Sequence, residues 1–262
     1  MTGLTSESQY GSKMLIHLLH LGRITYAEGL DVQQQVIAAR KKNLIGDTLL
    51  LLEHPPVLTL GRNAHRSNVI VSDEFLQQRG IELHEINRGG DVTYHGPGQL
   101  VGYPIIDLRG DLPGKKGPHL GPVDYVRLLE EVLIRTSGDF GVMAQRIAGR
   151  TGVWTMAGGS VQEKKIAAIG VHVSQGVTSH GFALNVTTDL RDFDWIVPCG
   201  ITDRQVTSLE LEADPARQPT FENALNATAR NFGRVFERQM LWSESLEELL
   251  HSEKRAKDRE TV

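Results

Sequence analysis

The sequence predicts an α/β fold in which helices flank a mixed central sheet. Helical and extended patterns alternate along the chain, and apolar runs of strand length are concentrated in its middle. The order of these runs is not a strict β-α-β repeat, so we expect a mixed or largely antiparallel sheet. The chain has 262 residues, which is enough for a sizeable hydrophobic core. We therefore expect one large domain over residues 13–240.

The first half of the chain contains signals for two helices. Thr25 and Glu28 have the spacing of a capping box, which predicts a helix that runs to about Lys42. Ser72 and Gly80 are typical of the N-terminal and C-terminal ends of a shorter helix. Apolar runs predict the strands of this half, which cover residues 13–21, 48–53, 57–60, 81–86 and 100–108.

The second half contains two longer helices with strands between them. Pro122 suits the first turn of a helix that runs to about Thr136, after a loop rich in Gly and Pro at 110–122. Thr220 caps a helix that runs to about Arg238. The strands predicted between these helices cover residues 152–155, 165–174 and 177–186, with a hairpin turn at 157–160.

Composition and charge exclude several classes of protein. The formal net charge of −4 does not fit a nucleic-acid-binding domain, which usually carries a basic face. No apolar run reaches the roughly 18 residues that a membrane span needs. Residues 1–12 lack the basic and apolar regions of a signal peptide, so we expect a disordered segment there and a cytoplasmic protein. The highly charged residues 241–262 are expected to form a frayed helix and tail.

A glycine-rich segment covers residues 88–99 and reads Arg-Gly-Gly-Asp-Val-Thr-Tyr-His-Gly-Pro-Gly-Gln. Glycine permits tight backbone bends and close approach of a ligand. The segment is neither a P-loop nor a Rossmann fingerprint, because the residues that follow the glycines differ. A pair of tight turns without a binding role is the alternative interpretation.

Two further segments carry reactive side chains. Lys165 comes at the start of an apolar strand, where a lysine either has a catalytic role or extends its ammonium group into solvent. Cys199, the single cysteine, lies between Pro198 and Gly200, so a turn is expected to present its sulfur outward. A small buried thiol is the alternative. One cysteine excludes an internal disulfide and cysteine-pair zinc sites, and the ten histidines show no convincing metal-ligand spacing.

These segments resemble the lipoyl(octanoyl) transferases. Residues 53–61 and 152–154 also resemble segments of that family, and the similarity runs from about residue 15 to about residue 210 in the expected order. The loop at 110–122 and the last fifty residues match poorly. The resemblance implies the fold of the biotin/lipoate protein ligases, with residues 13–240 as the catalytic domain. It also implies transfer of an octanoyl group from octanoyl-acyl carrier protein to a lysine of a lipoyl domain, in 2-oxoacid dehydrogenases or glycine cleavage H protein.

The resemblance also assigns roles to residues. The nucleophile falls on Cys199 and its partner on Lys165 rather than Lys164, while His95 and His180 are alternative proton-transfer partners. No metal and no cofactor are implied. The implied substrate-binding residues are Arg88, Gly89, Gly90, Asp91, Val92, Thr93, Tyr94, His95, Ala168, Ile169, Gly170, Gly181, Phe182 and Ala183.

A thiolate and a lysine suit this chemistry. A free thiol has a pKa of about 8.5, and lowering it by two units takes about 2.7 kcal/mol. One ammonium at about 4 Å supplies roughly 4 kcal/mol at an effective dielectric of 20. An enzyme thioester keeps the energy of the donor thioester, so no ATP is needed. Glycines 89, 90, 170 and 181 are expected to leave backbone amides free for an oxyanion hole.

Three alternatives remain open from the sequence. An ATP-dependent lipoate-protein ligase is disfavoured because its glycine segment has three consecutive glycines and because it needs no cysteine. A cysteine thioesterase would differ from a transferase only in admitting water to the acyl-enzyme, which a transferase excludes. A non-catalytic binding protein would not need both Lys165 and Cys199. Since acyl carrier proteins and lipoyl domains are typically acidic, Lys115 and Lys116, or Arg88, are candidates to dock them.

Overall fold

An eight-stranded mixed sheet forms the centre of the protein. The structure is a computed structural model, and it describes residues 15–156, 162–197 and 205–250. The expectations for residues 1–12, for the hairpin turn at 157–160 and for Cys199 therefore lie outside the described residues, as do residues 251–262 of the expected tail. None of the described helices is long and apolar enough to cross a membrane.

The strands and helices alternate much as the apolar pattern predicts. The strands are β1 Leu15–Arg23, β2 Thr48–Glu53, β3 Val57–Leu60, β4 Glu82–Glu85, β5 Val92–His95, β6 Gln99–Ile105, β7 Ala144–Ile147, β8 Arg150–Thr155, β9 Lys165–Ser174, β10 Val177–Asn185 and β11 Gln239–Ser243. The α-helices are α1 Tyr26–Lys41, α2 Asp73–Arg79, α3 Pro122–Asp139, α4 Leu209–Glu212 and α5 Phe221–Phe236. Short 3-10 helices cover Arg66–Asn68, Leu190–Trp195 and Pro215–Arg217.

The main sheet has the strand order β11-β1-β2-β6-β10-β9-β8-β7. β1 pairs in parallel with both β11 and β2, while all other neighbours in this sheet are antiparallel. The predicted mixed α/β class is thus confirmed. A second sheet of three strands, in the order β4-β3-β5, lies beside it and packs with α2 around its own small core.

Helices cover both faces of the main sheet. Alternate residues of a strand point to opposite faces, and β2 shows this directly. Leu49 and Leu51 join the core formed with α3 and α5, whereas Leu50 and Leu52 join the core formed with α1. All four leucines are fully buried, which explains why β2 reads as an unbroken apolar run.

The predicted capping signals of α1 and α2 are confirmed. Thr25 and Glu28 form both hydrogen bonds of a capping box, and the Ser72 hydroxyl accepts from the amide of Phe75. Gly80 ends α2 in the left-handed conformation, with φ 66°. Such local signals act within one turn of helix, so they can be recognised without knowing the tertiary structure.

The C-terminal boundary expected at residue 240 falls inside β11. The helix that precedes it ends at Phe236, since Glu237 adopts the left-handed conformation with φ 55°. Residues 239–243 then pair with the edge of β1, from Leu15 opposite Gln239 to Leu19 opposite Ser243. Backbone hydrogen bonds make this contact, and β11 has no fully buried side chain that would mark it as a strand.

Candidate active site

A cavity of about 1390 Å³ is lined by residues of β5, β8, β9 and β10. It brings together most of the residues that the sequence singles out, although they come from three separate parts of the chain. The predicted residues on its wall are Arg88, Gly90, Asp91, Val92, Thr93, His95, Lys165, Ala168, Ile169, Gly170, His180, Gly181, Phe182 and Ala183.

Two of the predicted substrate-binding residues pack away from the described cavity wall. The Tyr94 hydroxyl donates to the Asp192 carboxylate at 2.6 Å, and its ring packs edge-on against Phe193 and Trp195. The amide of Gly89 donates to the carbonyl of Val171 at 3.0 Å. Gly89 therefore offers no free amide, and the expectation that it contributes to an oxyanion hole is wrong.

Lys165 begins β9, and its ammonium nitrogen lies 4.9 Å from the centroid of the Trp154 ring on β8. This is the geometry of a cation–π interaction. A side chain at Gly152 would come within 2.7 Å of the Ala167 carbonyl oxygen and 3.3 Å of the Lys165 side chain. Glycine at 152 thus leaves the space that the lysine side chain occupies.

The backbone of Lys165 pairs with the chain that follows the segment carrying Cys199. The Lys165 amide donates to the carbonyl of Gln205 at 3.0 Å, and the Thr207 amide donates to the carbonyl of Lys165 at 2.9 Å. On the other side of the undescribed residues 198–204, the amide of Val197 donates to the Asn68 carbonyl at 2.8 Å. Val197 and Gln205 both lie on the cavity wall.

Glycines of β9 and β10 allow close packing of backbone. Gly170 and Gly181 face each other in the β9–β10 pair. A side chain at Gly170 would lie 2.7 Å from the carbonyl oxygen of Gly89, and one at Gly181 would collide with the Gly102 carbonyl oxygen on β6. These glycines are needed where the segment around residue 89 and the strand β6 come close.

Arg88 holds the glycine-rich segment to the small sheet. One guanidinium nitrogen donates to both the carbonyl and the hydroxyl of Thr59 at 2.9 Å, and another donates to the carbonyl of Gly89 at 3.1 Å. Arg88 is only 8% exposed. It therefore does not lie on a protein-docking surface, and that hypothesis is wrong for Arg88. Lys115 donates to the carbonyls of Arg109 and Gly110 within its own loop, while Lys116 is exposed.

Three histidines and two tyrosines, which we call the His–Tyr cluster, pack between α1 and the cavity. They are Tyr26, His54, His95, Tyr103 and His180. Burial lowers the pKa of His54 to about 4, of His95 to about 3 and of His180 to about 4. All three imidazoles are therefore neutral at pH 7.

The tautomer of His54 follows from its neighbours. Its Nδ1 lies 2.8 Å from the carbonyl oxygen of Ile24, which only accepts, so Nδ1 carries the proton. Its Nε2 accepts from the Tyr103 hydroxyl at 2.8 Å. His54 belongs to the resembling segment 53–61, but no motif in the sequence singles out Tyr26 or Tyr103. Their spacing in the sequence carries no signal of this contact, which depends on how α1 packs against β6.

The chain is similar to known proteins over most of its length. A family model described as the lipoyl protein ligase A/B catalytic domain matches residues 25–233. An octanoyltransferase of Acidobacterium capsulatum is 67% identical over 90% of this chain and 96% of its own length. The chain belongs to the octanoyltransferase family. A second octanoyltransferase, from Koribacter versatilis, is 53% identical over 90% of both chains.

The octanoyltransferase family assignment makes the protein an acyltransferase, as the resemblance implies. A solved structure of a bi-partite lipoate protein ligase from Thermoplasma acidophilum superposes with a TM-score of 0.66 over 91% of each chain. Its sequence is only 17% identical, so this likeness concerns the fold alone. The fold expected for an octanoyltransferase is therefore present.

Proposed function

We propose that the protein transfers an octanoyl group from octanoyl-acyl carrier protein to the lysine amine of lipoyl domains, through a thioester on Cys199. The observation that carries this proposal is the position of Lys165. It lies on the cavity wall, and its backbone pairs with the residues that follow the Cys199 segment.

The sequence neighbours of Cys199 support a pairing with Lys165. Cys199 is two residues after Val197, and Val197 lies on the cavity wall. Gln205, whose carbonyl accepts from the Lys165 amide, lies on the same wall. An ammonium at this wall lowers the pKa of a nearby thiol and increases the thiolate fraction at neutral pH.

The reaction takes two balanced steps. In the first, the Cys199 sulfur bonds to the octanoyl carbonyl carbon, the bond to the carrier's sulfur breaks, and the carrier leaves as a thiol. In the second, the amine of the acceptor lysine bonds to the same carbon, the bond between that carbon and the Cys199 sulfur breaks, and the proton lost by the nitrogen restores the Cys199 thiol. Both steps exchange one acyl bond for another, so neither requires ATP.

Apolar side chains on the cavity wall suit the octanoyl chain. Val101, Ile169, Phe182 and Ala183 line the cavity beside the polar residues. Each methylene group that leaves water contributes about 0.8 kcal/mol, so the chain contributes roughly 5 kcal/mol of binding free energy. Gly102 lies under the Phe182 ring, where any larger residue would collide with it.

The proposal extends to the acceptor, the location and the domain limits. The Thermoplasma ligase belongs to a lipoylation system with an E2 lipoyl domain. By analogy we assign lipoyl domains of 2-oxoacid dehydrogenases or glycine cleavage H protein as acceptors. A reduced Cys199 fits the cytoplasm, where thiols persist. Residues 13–240 form the core of the catalytic domain, which also includes β11.

Intact mass measurement tests the proposal. Wild type incubated with octanoyl-acyl carrier protein is expected to gain one octanoyl group, and Cys199→Ala is expected to gain none. Added lipoyl domain should discharge the adduct and become octanoylated itself. Activity that appears only with ATP and free octanoate would instead assign a ligase. Release of free octanoate in place of transfer would assign a thioesterase.

A further inference from the structure

A chain of buried hydrogen bonds connects His95 to the backbone beside Lys165. His95 Nδ1 lies 2.7 Å from Gln99 Oε1, and Gln99 Nε2 lies 2.9 Å from Asn185 Oδ1. Asn185 Nδ2 then lies 2.9 Å from the carbonyl oxygen of Thr207. The amide of Thr207 in turn donates to the carbonyl of Lys165. We call His95, Gln99 and Asn185 the amide relay, and each is at most 7% exposed.

The direction of every bond in the amide relay is fixed by two backbone carbonyls. A carbonyl oxygen only accepts, so Asn185 must present its NH₂ group to Thr207 and its oxygen to Gln99. Gln99 must then present its NH₂ group to Asn185, and the same group also donates to the carbonyl of Tyr94 at 3.2 Å. Only the Gln99 oxygen is left to face His95.

The tautomer of His95 follows from this direction. Because Gln99 Oε1 accepts, His95 Nδ1 carries the proton and Nε2 carries a lone pair. The imidazole lies on the cavity wall, and Nε2 meets no hydrogen-bonding partner in the part of the chain that the structure describes. A hydrogen-bond acceptor without a proton is therefore available to a ligand in the cavity.

The groups around His95 keep this imidazole neutral. Tyr26 of α1 stacks on it with 6.1 Å between ring centroids, and His54 packs edge-on at the same distance. Arg88 and His180 are the other titratable groups that act on it. Burial and the nearby Arg88 cation lower the pKa of His95, and the Gln99 oxygen only partly offsets this.

We infer that Gln99 and Asn185 are positioning residues, which lock His95 as a bare Nε2 acceptor facing the cavity and tie it to the Lys165–Thr207 backbone pair. The inference rests on the proposed function for its chemical role. In the second step, His95 Nε2 accepts a hydrogen bond from the neutral amine of the acceptor lysine and orients its lone pair toward the thioester. His95 takes no proton in this step, and the amine proton leaves with Cys199 as its thiol.

The tautomer itself is testable by NMR without any substrate. Long-range proton–nitrogen correlation of ¹⁵N-labelled protein at pH 7 distinguishes the two neutral tautomers, and His95→Gln identifies the His95 signals. We expect a proton on Nδ1 and none on Nε2. A proton on Nε2, or a doubly protonated ring, overturns the inference whatever the protein catalyses.

The kinetic role is testable with two variants of nearly unchanged size. Gln99→Glu places a carboxylate beside His95 and raises its pKa, so His95 becomes a donor as the pH falls. We expect discharge of the octanoyl adduct by lipoyl domain to slow by about 10- to 100-fold at pH 6 and to recover as the pH rises. Asn185→Asp cannot donate to the Thr207 carbonyl, so we expect slower discharge with the His95 tautomer unchanged.

Gln145→Glu is the matched control for Gln99→Glu, because it adds the same charge on β7 instead. Its rate of adduct discharge should depend on pH as that of wild type does. A Gln99→Glu profile parallel to wild type would refute the positioning role. So would discharge by Asn185→Asp at the wild-type rate. Complete absence of the adduct in wild type would instead refute the proposed function, while the NMR result would still decide the tautomer.

Discussion

The ammonium of Lys165 lies 4.9 Å from the centroid of the Trp154 ring. The ring holds the lysine side chain at the start of β9, beside the chain that follows the Cys199 segment. Cation–π contacts of this kind contribute about 0.5–1 kcal/mol at partly exposed sites. The Trp154 ring is therefore expected to affect the chemistry through the lysine that it orients.

Replacing Trp154 tests this effect. We expect Trp154→Leu to slow formation of the octanoyl adduct by about two- to fivefold, because the lysine ammonium loses its preferred position. Quenched-flow mixing with octanoyl-acyl carrier protein, followed by mass spectrometry of the protein, measures this rate. Trp242→Leu is the control, since Trp242 is 50% exposed on β11. Equal rates for wild type and Trp154→Leu would show that the ring does not orient the lysine.

Removing the charge of Lys165 should raise the pKa of the Cys199 thiol. We expect the rate of iodoacetamide alkylation of Lys165→Gln to fall about tenfold or more at pH 7, with a midpoint near the free value of about 8.5. Lys164→Gln is the matched control, because Lys164 pairs with Glu212 at 3.1 Å. An unchanged midpoint in Lys165→Gln would assign the activation of the thiol to another group.

Substitution of Gly181 should destabilise the sheet. Gly181→Ala places a methyl group against the Gly102 carbonyl and 2.5 Å from Pro104, so we expect a loss of about 1–3 kcal/mol in the free energy of unfolding. Gly138→Ala is the control in α3, where no atom lies within 4 Å of the added carbon. We expect that change to stabilise by about 0.4–1 kcal/mol. Urea unfolding measures the stability of both variants. A Gly181→Ala protein that is more stable than Gly138→Ala would contradict the predicted collision.

The buried histidines of the His–Tyr cluster make stability depend on pH. The pKa of His54, His95 and His180 is lowered to about 4, 3 and 4, while an unfolded histidine titrates near about 6.5. The unfolded chain therefore binds more protons below pH 6.5, and the free energy of unfolding falls as the pH drops. Each histidine adds up to about 1.4 kcal/mol per pH unit to this slope.

Urea unfolding at pH 7.5, 6 and 5 measures the effect. In wild type, we expect the urea concentration at the midpoint of unfolding to fall steadily as the pH drops from 7.5 to 5. His54→Gln should be less stable than wild type at pH 7.5, because it loses a buried ring. Its unfolding midpoint should also depend less steeply on pH, because one titrating imidazole is gone. A midpoint independent of pH between 7.5 and 5 would mean that these imidazoles are not buried as neutral groups.

Local sequence signals were enough to predict most elements. The Thr25 capping box, the Ser72 cap and the Gly80 end of α2 depend on neighbours within a few residues. β5 was not predicted, because the glycine-rich segment that contains it favours turns. β7 and β11 carry few buried side chains and join the sheet mainly through backbone pairing.

Many residues on the cavity wall were singled out from the sequence, but the contacts between them were not. The resemblance singled out Lys165 and the glycine-rich segment, and the structure places Lys165 and much of that segment around one cavity. Gln99 and Asn185 were not singled out, because they meet only through the register of β6 against β10. The buried role of Arg88 likewise depends on Thr59, which lies 29 residues earlier in the chain.

The pairing of β1 with β11 has a consequence for folding. Leu15 and Gln239 are partners in the same sheet although nearly the whole chain separates them. Contacts between such distant residues form slowly, because a long loop must close before they can stabilise anything. During synthesis, this edge of β1 stays uncovered until residues 239–243 have left the ribosome. Until then the open edge is able to pair with other chains, so β11 protects the protein from aggregation as well as completing the sheet.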